Sequence, residues 1–464
     1  MNQDPERQRR TSVGLDDILG PFFQWNALRT NAATEILAGV TTFVTMAYIL
    51  VVNPGILSNA IFLNESGDLF GELVIATAFS AAIASLVMGL YAKYPFVLAP
   101  GMGLNAYFTF SIVLRLGIDW RTALAAVFIE GIIFIILTVT NVRSQIVKAI
   151  PDGLKHATAA GIGMFIAYIG LKNANLIVAN EVTTTTLGEL SNPTTLVAIA
   201  GLVITSAFVA RRMTGALLLG ILATSMLGWI FGVAPLPEGV IALPQWPGDL
   251  FGQAIVGLSG IGEIGITELL AILFVLLFVD LFDTVGTLAG VGMKAGLIDR
   301  RGELPRSSQA FMADAVGTTV GAVLGTSTVT TYIESASGIS EGGRSGFTAV
   351  IAALFFILSI FFIPLISGIP PFATSPALII IGVLMMSSVR SIDWDEPAVA
   401  ISAFLTIILI PLSFSIAEGL AIGFLTYPLL KAFQGRAYEV SPAVWIIAAI
   451  FALRFLLMGL HIGG

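Results

Sequence analysis

Apolar runs recur along almost the whole chain, and they constrain its fold more than any other feature. A helical run of about 20 residues crosses about 30 Å of hydrocarbon. We predict fourteen membrane spans, seven on each side of a Pro- and Gly-rich break at 234–262. The predicted spans cover 32–52, 70–92, 96–114, 121–141, 156–171, 194–210, 214–233, 266–290, 308–325, 326–343, 347–366, 374–390, 397–413 and 415–431. An extra apolar segment at 442–460 either crosses the membrane or lies at its surface with Arg454 reaching water.

The composition agrees with a lipid-embedded chain and excludes several classes of protein. Hydrophobic residues make up 56% of the 464 residues and charged residues only 11%, whereas soluble domains carry about 25% charged residues. A net charge of −7 without a basic domain excludes a nucleic-acid-binding protein. The chain has no Cys and only two His, His156 and His461, so it lacks the residues for a disulfide, a thiolate site or a His-rich metal site. We therefore expect no metal and no organic cofactor.

Basic residues are distributed unevenly between the two sets of predicted loops. The N-terminus, MNQDPERQRRTSVGLDD, is polar and lacks the apolar core of a signal peptide. If the N-terminus is cytoplasmic, the inner loops hold 18 of the 22 Lys and Arg residues, and the outer loops hold only Arg115, Arg121 and Lys172. This bias is the one that the positive-inside rule requires. The sequence therefore predicts a multi-pass protein of the plasma (inner) membrane with a cytoplasmic N-terminus.

The third and tenth predicted spans do not have the pattern of plain helices. The segment PFVLAPGMGLNAYF at 95–108 contains two Pro and two Gly, and GTSTVTTYIESASG at 325–338 is rich in Thr and suits an extended piece followed by a helix. Non-helical backbone at membrane depth survives only where protein or a polar cavity covers it. Because the breaks occupy the same position in each half, they indicate inverted repeats of seven spans with the substrate between them. The alternative is two ordinary Pro/Gly kinks.

Eight carboxylates within the predicted spans are candidates for a functional role. An ionisable group at membrane depth costs roughly 2.5–3.5 kcal/mol on insertion scales and by default marks function. We expect Glu35, Glu268 and Glu418, which are near span ends, to be hydrated. Glu130 is equally consistent with a structural hydrogen bond and with a functional role. Asp314 is equally consistent with helix packing and with proton passage.

Asp280, Asp283 and Glu334 are the strongest candidates for a site. Spacings of three and four residues in the eighth span place Asp280 and Asp283 near one helix face, together with Thr284 and Thr287. Glu334 lies on the tenth span, and no Lys or Arg lies mid-span to pair with these three acids. An unpaired buried carboxylate tends to hold a proton, which is what a proton-coupled carrier needs. The alternative is an acid cluster that only locks helices together.

Four segments resemble the AzgA-like purine permeases of the nucleobase–ascorbate (nucleobase:cation symporter) family, and the resemblance extends over nearly the whole chain. They are TFVTMAYILVVNP at 42–54, APGMGLNAYF at 99–108, DLFDTVGT at 280–287 and TSTVTTYIESASGISEGGRSG at 326–346. The resemblance implies a carrier that imports guanine, hypoxanthine or adenine with protons. It also implies seven plus seven inverted spans, short strands in spans three and ten, elevator-like movement of a core domain against a gate domain, and a homodimer.

The resemblance also assigns the substrate contacts. They are Asp283 and Thr287 on span eight, Asn105 on span three, and Thr331, Tyr332 and Glu334 on span ten. Asp280 and Asp314 are then left for proton coupling or for support of the site. Members that transport uracil or xanthine commonly carry Glu at the position of Asp283 and in some cases His at the position of Thr287. The shorter Asp and the hydroxyl leave more room here, which suits a bicyclic purine.

The predicted layout follows from these spans. It consists of a cytoplasmic N-terminal segment at 1–31, a first repeat at 32–233, an extracytoplasmic connection at 234–265, a second repeat at 266–436 and an extra apolar segment at 437–464. The resemblance places spans 1–4 and 8–11 in the core domain. It places spans 5–7 and 12–14 in the gate domain.

Several other functions compete with that of a purine carrier. A carrier for uracil or xanthine and an anion transporter of the same fold stay open, although an anion site wants a cation that no mid-span Lys or Arg supplies. A membrane-embedded enzyme is disfavoured by the absence of Cys and of a metal-ligand motif. A channel needs a continuous polar path, whereas the polar residues cluster at one depth. The sequence therefore predicts a transporter and not an enzyme.

Overall fold

The computed structural model describes residues 15–140, 149–299 and 304–459, and most of these residues are helical. Helices occupy spans 1, 2, 4–9 and 11–14 close to their predicted bounds. They are Ala32–Leu57, Phe70–Ala92, Trp120–Val139, Asp152–Asn173, Pro193–Ala210, Ala216–Ile230, Ile266–Ala295, Ser307–Leu324, Gly346–Ser367, Pro371–Ser391, Pro397–Leu412 and Ile416–Phe433. Among the described residues, nine of these helices are long and apolar enough, by length and composition, to cross a membrane.

Spans 3 and 10 are broken, as predicted, and each contains a short strand. The span-3 strand, Leu98–Pro100, precedes a helix at Met102–Ala106 and a π-helical stretch at Tyr107–Arg115. The span-10 strand, Val329–Thr331, precedes a helix at Ser335–Ser340. Both spans therefore change from extended to helical backbone midway along their length.

The two strands meet as an antiparallel pair inside the bundle. Leu98 lies opposite Thr331, and Pro100 lies opposite Val329. Pro100 has no N–H to donate and β-branched residues favour strands, so these segments suit a short pair better than continued helix. All strand residues are buried, which supplies the cover that non-helical backbone needs at membrane depth. Antiparallel pairing of equivalent strands is what an inverted repeat produces, and the predicted fold class, an all-α polytopic membrane protein with two inverted halves of seven spans, is confirmed.

The spans pack as two groups. Spans 1–4 and 8–11 contact one another extensively and form what we call the core group, while spans 5–7 and 12–14 form the gate group. In the core group, Gly89 of span 2 lies so close to Gly346 of span 11 that a side chain at either position would collide with backbone. In the gate group, span 5 packs along spans 12 and 13. The division into core and gate is therefore present, and the residue boundaries of the repeats stay a prediction.

The two ends of the bundle are named here from the predicted charge bias. The inner end, predicted to be cytoplasmic, holds Lys93, Arg211, Lys294, Arg390 and Lys431. The outer end holds Arg115, Lys172, Glu268 and Glu418.

The C-terminal apolar segment forms a helix, Pro442–Gly459, that packs against spans 8 and 14. Just before this helix begins, the hydroxyl of Ser441 donates to the carbonyl of Ala149 at the inner end, at 2.6 Å. Toward the other end of the helix, Arg454 pairs with acids in the first turns of spans 8 and 14, at the outer end. The helix therefore runs from end to end of the bundle. Of the two alternatives, the surface position with Arg454 reaching water is wrong, because Arg454 is only 2% exposed.

A helix and a β-hairpin are among the elements that lie outside the predicted spans. A helix at Leu15–Phe23 precedes span 1, and the indole of Trp25 just after it donates to the hydroxyl of Ser345 at 3.0 Å. A β-hairpin of Ile177–Asn180 and Thr184–Leu187 connects spans 5 and 6 at the outer end. Neither element touches the strand pair, so neither bears on the position of the site.

The carboxylates expected to be hydrated are largely shielded from water. Glu35 is fully buried and accepts hydrogen bonds from the backbone N–H of Arg344 at 2.9 Å and from the hydroxyl of Thr348 at 2.6 Å. Glu268 and Glu418 both pair with the C-terminal helix. The expectation is wrong for Glu35, which receives donors from a segment that is remote in sequence. The side chains of Glu268 and Glu418 keep 22% and 14% of their surface exposed, so for these two acids it stays a prediction.

Candidate functional site

One face of span 8 is open toward the inner end. Asp283 is exposed, and Gly286 and Met293 are exposed on the same helix face. A side chain built at Gly286 or Gly290 would meet nothing within 4 Å, so open space lies beside this face. In the outer half of the same helix, Leu276 is fully buried. The opening therefore extends from the inner end as far as Asp283.

A helix of the gate group borders this opening. The ring of Phe282, next to Asp283, lies 5.3 Å from the ammonium of Lys155 in span 5. Lys155 itself pairs with Asp152 at 2.8 Å. The opening thus lies between the core group, which carries Asp283, and the gate group.

Glu334 follows the span-10 strand and meets the same opening. It is partly exposed, and its neighbour Ile333 is 61% exposed. The phenol of Tyr48 on span 1 donates to Glu334 Oε1 at 2.6 Å. The carboxylates of Glu334 and Asp283 are close enough for their charges to interact. Among the described residues, neither acid has an ion-pair partner.

The other predicted contacts of spans 8 and 10 are buried beside these acids. Thr287 lies one helical turn after Asp283. The phenol of Tyr332 donates to the carbonyl of Pro100 and so holds the two strands together. The hydroxyl of Thr331 is buried and has no hydrogen-bond partner in the described part of the chain. Because a buried hydroxyl without a partner costs free energy, Thr331 has hydrogen-bonding capacity that a ligand can use.

Asn105 lies behind the strand pair and does not face the opening. Its side chain is fully buried, its amide N–H donates to Asn53, and its carbonyl accepts from Ser327. Asn53 donates in turn to Thr77 at 2.6 Å and to Thr326 at 3.0 Å. The direct contact between Asn105 and a substrate that the resemblance implies stays a prediction, because the side chain is fully buried and is bonded to Asn53 and Ser327.

A second layer of acids lies deeper in the core group. Asp280 accepts from the hydroxyl of Thr318 at 3.4 Å, and Asp314 accepts from the hydroxyl of Thr284 at 2.8 Å. The charges of Asp314 and of Glu130 on span 4 both act on Asp280. The three carboxylates are fully buried. Thr284 also lies 2.8 Å from a hydroxyl of the span-10 strand, so hydroxyls connect this layer to the strand pair.

Tyr48 is the site residue that the sequence did not single out. It lies inside the segment TFVTMAYILVVNP, which carries part of the family resemblance, but no local pattern relates a tyrosine of span 1 to an acid of span 10. The phenol binds one oxygen of Glu334 and leaves the second oxygen for another donor. Tyr48 therefore sets the orientation of the carboxylate at the opening.

The arrangement suits a flat, neutral ligand that carries N–H donors. Two carboxylates offer acceptors, the Thr331 hydroxyl is unused, and the strand pair presents backbone nearby. Among the described residues, His, Cys, Asp and Glu do not form a group of three or more with the geometry to hold a metal ion. The chemistry available here is reversible hydrogen bonding and not bond cleavage.

Fourteen spans in two inverted halves, with acids at paired broken segments, define a membrane transporter. The model of the Permease family matches residues 33–422. A guanine/hypoxanthine permease of Bacillus subtilis is 42% identical over 94% of this chain and 99% of its own length. An adenine permease of Escherichia coli is 39% identical over 98% of this chain and 99% of its own length. The chain therefore belongs to the Permease family, and the resemblance to purine permeases inferred from its motifs is confirmed.

A solved structure shares the fold. The transmembrane domain of a cyanobacterial bicarbonate transporter superposes with a TM-score of 0.61, at 16% sequence identity, over 83% of this chain and 96% of that chain. At this identity the likeness concerns the fold alone, since unrelated substrates are carried on one architecture.

Proposed function

We propose that this permease is a proton-coupled carrier that imports purine nucleobases, namely guanine, hypoxanthine or adenine, across the plasma membrane. The observation that carries the proposal is the pair of acids, Asp283 and Glu334, that meets at the end of the opening beside the strand pair. Both acids belong to the core group, and neither has an ion-pair partner among the described residues.

The shape and donors of a purine fit these acids. The base is flat and carries ring N–H groups, and a carboxylate that accepts from such a group makes a charge-assisted hydrogen bond. In the proposed complex Glu334 and Asp283 accept from the base, while Thr331 and the strand backbone contact its remaining edge. Relatives named for guanine/hypoxanthine and for adenine are similar to this chain to nearly the same degree, which supports a purine without choosing among the three.

The buried acid layer supports coupling to protons. Carboxyl groups at membrane depth commonly form proton relays, and Asp280 and Glu130 are fully buried beside each other in this layer. The hydroxyl of Thr284 connects this layer to the span-10 strand beside Glu334. We assign the coupling proton to Asp280 and a supporting role to Asp314, with H⁺ as the coupling ion and no cofactor.

The position of the site supports an elevator-like movement. Every proposed contact lies on spans 3, 8 or 10 of the core group, and the opening extends only to the inner end. A base from the outer side can reach Asp283 only after the core group shifts against the gate group. In this scheme the N-terminus is cytoplasmic, the gate group is the static part, and it carries the contacts of a homodimer.

Two alternatives remain distinguishable by their chemistry. A uracil or xanthine carrier would use the same acids, and uracil, which has a single ring, would need a tighter site. An anion transporter would need a cation at the opening, and Lys155, which borders it, is already paired with Asp152. A carboxylate-lined site therefore favours a neutral base over an anion.

Uptake of radiolabelled hypoxanthine, in cells deprived of their own purine carriers, tests the proposal. We expect saturable uptake. Unlabelled guanine, adenine or both should inhibit it strongly, and xanthine and uracil should inhibit it weakly. A protonophore should abolish accumulation, whereas replacement of Na⁺ should leave it unchanged. Strong competition by uracil, or accumulation that survives the protonophore and requires Na⁺, would contradict the substrate or the coupling ion respectively.

A further inference from the structure

Aromatic rings close the core and gate groups against each other in the outer half of the bundle. Phe274 and Phe278 of span 8 lie with their ring centroids 5.8 and 5.3 Å from that of Phe424 on span 14. Phe451 of the C-terminal helix joins the cluster, 5.5 Å from Phe274. All three contacts are edge-to-face, a favourable geometry for aromatic pairs. On the face of span 8 that carries Asp283, the inner half is open and the outer half is packed. With the ends named from the charge bias, this is an inward-facing arrangement.

Arg454 links both groups at the outer end. Its Nε and Nη2 atoms donate to the two carboxylate oxygens of Glu268 on span 8, at 2.9 and 3.1 Å. Nη2 also donates to Glu418 on span 14, at 3.2 Å. Arg115, at the end of span 3, pairs with the same oxygen of Glu418 at 3.2 Å. The planar guanidinium group of arginine can donate two parallel hydrogen bonds to one carboxylate. The pair of Arg454 with Glu268 is therefore more directional than its single bond to Glu418.

The C-terminal helix is packed more closely on the gate group than on the core group. It contacts span 14 along much of its length and contacts span 8 less extensively. A half-open apolar groove of about 250 Å³ lies between the helix and part of the core group, lined by Leu270 and Leu277 of span 8, Ile133 of span 4, and Ile447 of the helix itself. The helix packs closely against the gate group and loosely against the core group, which indicates that it moves with the gate group.

We propose that the C-terminal helix belongs to the gate group, and that Arg454 is a latch that holds the core group inward-facing through its two bonds to Glu268. When the core group moves, Glu268 leaves Arg454, while Glu418 stays beside it because both are carried by the gate group. Arg115 leaves Glu418 in the same step. The proposal rests on the core-against-gate movement of the proposed function and not on the identity of the substrate.

Cysteine labelling tests the latch without any substrate. The chain has no Cys, so one introduced Cys is a clean reporter. Ala421→Cys places it on span 14, one turn before Phe424, where the side chain is fully buried in the inward-facing structure. In reconstituted protein, a membrane-impermeant maleimide on the outer side should react slowly. Adding Arg454→Gln should raise the labelling rate about tenfold, an effect between those of exposed and buried ion pairs.

Matched variants separate the latch from a general effect of charge. Arg454→Lys keeps the charge but cannot donate two parallel hydrogen bonds to one carboxylate. We therefore expect a smaller rise in the labelling rate than for Arg454→Gln. Arg121→Gln is the control, because Arg121 is an outer-end cation whose partner, Asp119, lies within the same group. Where Arg454→Gln fails to fold, Glu268→Gln removes the other half of the same bonds and should give the same rise. Unchanged labelling in either folded variant overturns the latch.

Cross-linking tests which group the helix moves with. A short bifunctional thiol reagent across Glu268→Cys and Arg454→Cys should stop transport, because it ties the core group to the gate group. The same reagent across Glu418→Cys and Arg454→Cys should leave transport intact. The reverse pattern would place the C-terminal helix in the core group and overturn the proposal. Failure of purine uptake in the unmodified protein would count against the proposed substrate and would leave the labelling result standing.

Discussion

The phenol of Tyr48 donates a hydrogen bond of 2.6 Å to a carboxylate oxygen of Glu334, although the two residues are separated by 286 positions in the chain. Span 1 and span 10 both belong to the core group. The orientation of the acid at the opening is therefore set within one packed body. A core group that moves as a unit presents the same binding geometry to both sides of the membrane.

Replacing Tyr48 with Phe should weaken purine binding without preventing folding. The change removes only the hydroxyl, but it frees one oxygen of Glu334 and with it the rotamer of the carboxylate. Loss of a hydrogen bond to a charged group costs about 1.5–3 kcal/mol, or roughly 10- to 150-fold in affinity. Calorimetric binding of hypoxanthine to purified protein measures this. Tyr91→Phe, at an exposed position, is the matched control; equal affinity in both variants would argue against an orienting role.

Glu334→Gln and Asp283→Asn should each bind purine far less well while still reaching the membrane. Each change keeps the size of the side chain but turns half of an acceptor pair into a donor, which leaves a mismatched group once the bound base covers the site. Such a mismatch costs about 1–3 kcal/mol, or roughly 5- to 150-fold in affinity. Glu341→Gln is the matched control. Glu341 is an exposed acid just after the helix Ser335–Ser340 that follows Glu334, and this variant should bind purine normally. Wild-type affinity in Glu334→Gln would favour an acid cluster with a purely structural role.

Glu35→Gln should lower stability and leave the binding residues untouched. Glu35 accepts from the backbone of Arg344 and Ser345 and from the hydroxyl of Thr348, and it thereby joins span 1 to the start of span 11. The amide N–H₂ of Gln at this position would face these donors and could not accept from them. This should lower the free energy of unfolding by about 1–3 kcal/mol. The thermal unfolding midpoint of the solubilised protein should fall. Glu181→Gln, in the exposed hairpin, should leave the midpoint unchanged.

A cross-link between the core and gate groups should stop transport, whereas one within the core group should not. Phe274→Cys with Phe424→Cys bridges the groups at a site where the rings are 5.8 Å apart. Phe43→Cys with Phe355→Cys is the matched pair, since those rings are 5.5 Å apart and both lie in the core group. Uptake is measured before and after oxidation and again after reduction. Transport that persists in the first pair, or stops reversibly in the second, would contradict the division.

The inner end should contribute a pH-dependent share of stability in the acid range. Hydrogen bonds from Gln434 and Arg436 lower the pKa of Glu396, just before span 13, from its usual value to about 2. Because the folded-state pKa is depressed, the contribution is present above the ordinary carboxyl pKa, near 4.5, and is lost as the pH falls toward about 2. Glu396→Gln should therefore lower the unfolding midpoint at pH 7, and the difference from wild type should shrink below pH 4. Asp395→Asn, beside it and exposed, should show no such convergence.

The sequence predicts the spans and the broken segments because both follow from local requirements. A bilayer imposes a length on each helix, and Pro95, Pro100 and the Thr-rich segment at 325–338 interrupt helical hydrogen bonding where they stand. The burial and pairing of the charged residues could not be predicted from the sequence in the same way. From the sequence alone, Glu35 is expected to be hydrated because it lies near a span end, but in the folded chain it accepts a hydrogen bond from the backbone of Arg344. Arg454 is expected to reach water, but in the folded chain it pairs with Glu268.

By itself, the sequence determined that this chain crosses a membrane many times in two related halves, and that Asp280, Asp283 and Glu334 are its most telling acids. Only the tertiary structure decided that Asp283 and Glu334 meet at an opening while Asp280 is sealed behind them. The physical reason is that span length and helix breaking depend on neighbours in the chain. Hydration, ion pairing and the direction of a side chain depend on contacts between spans that lie hundreds of positions apart.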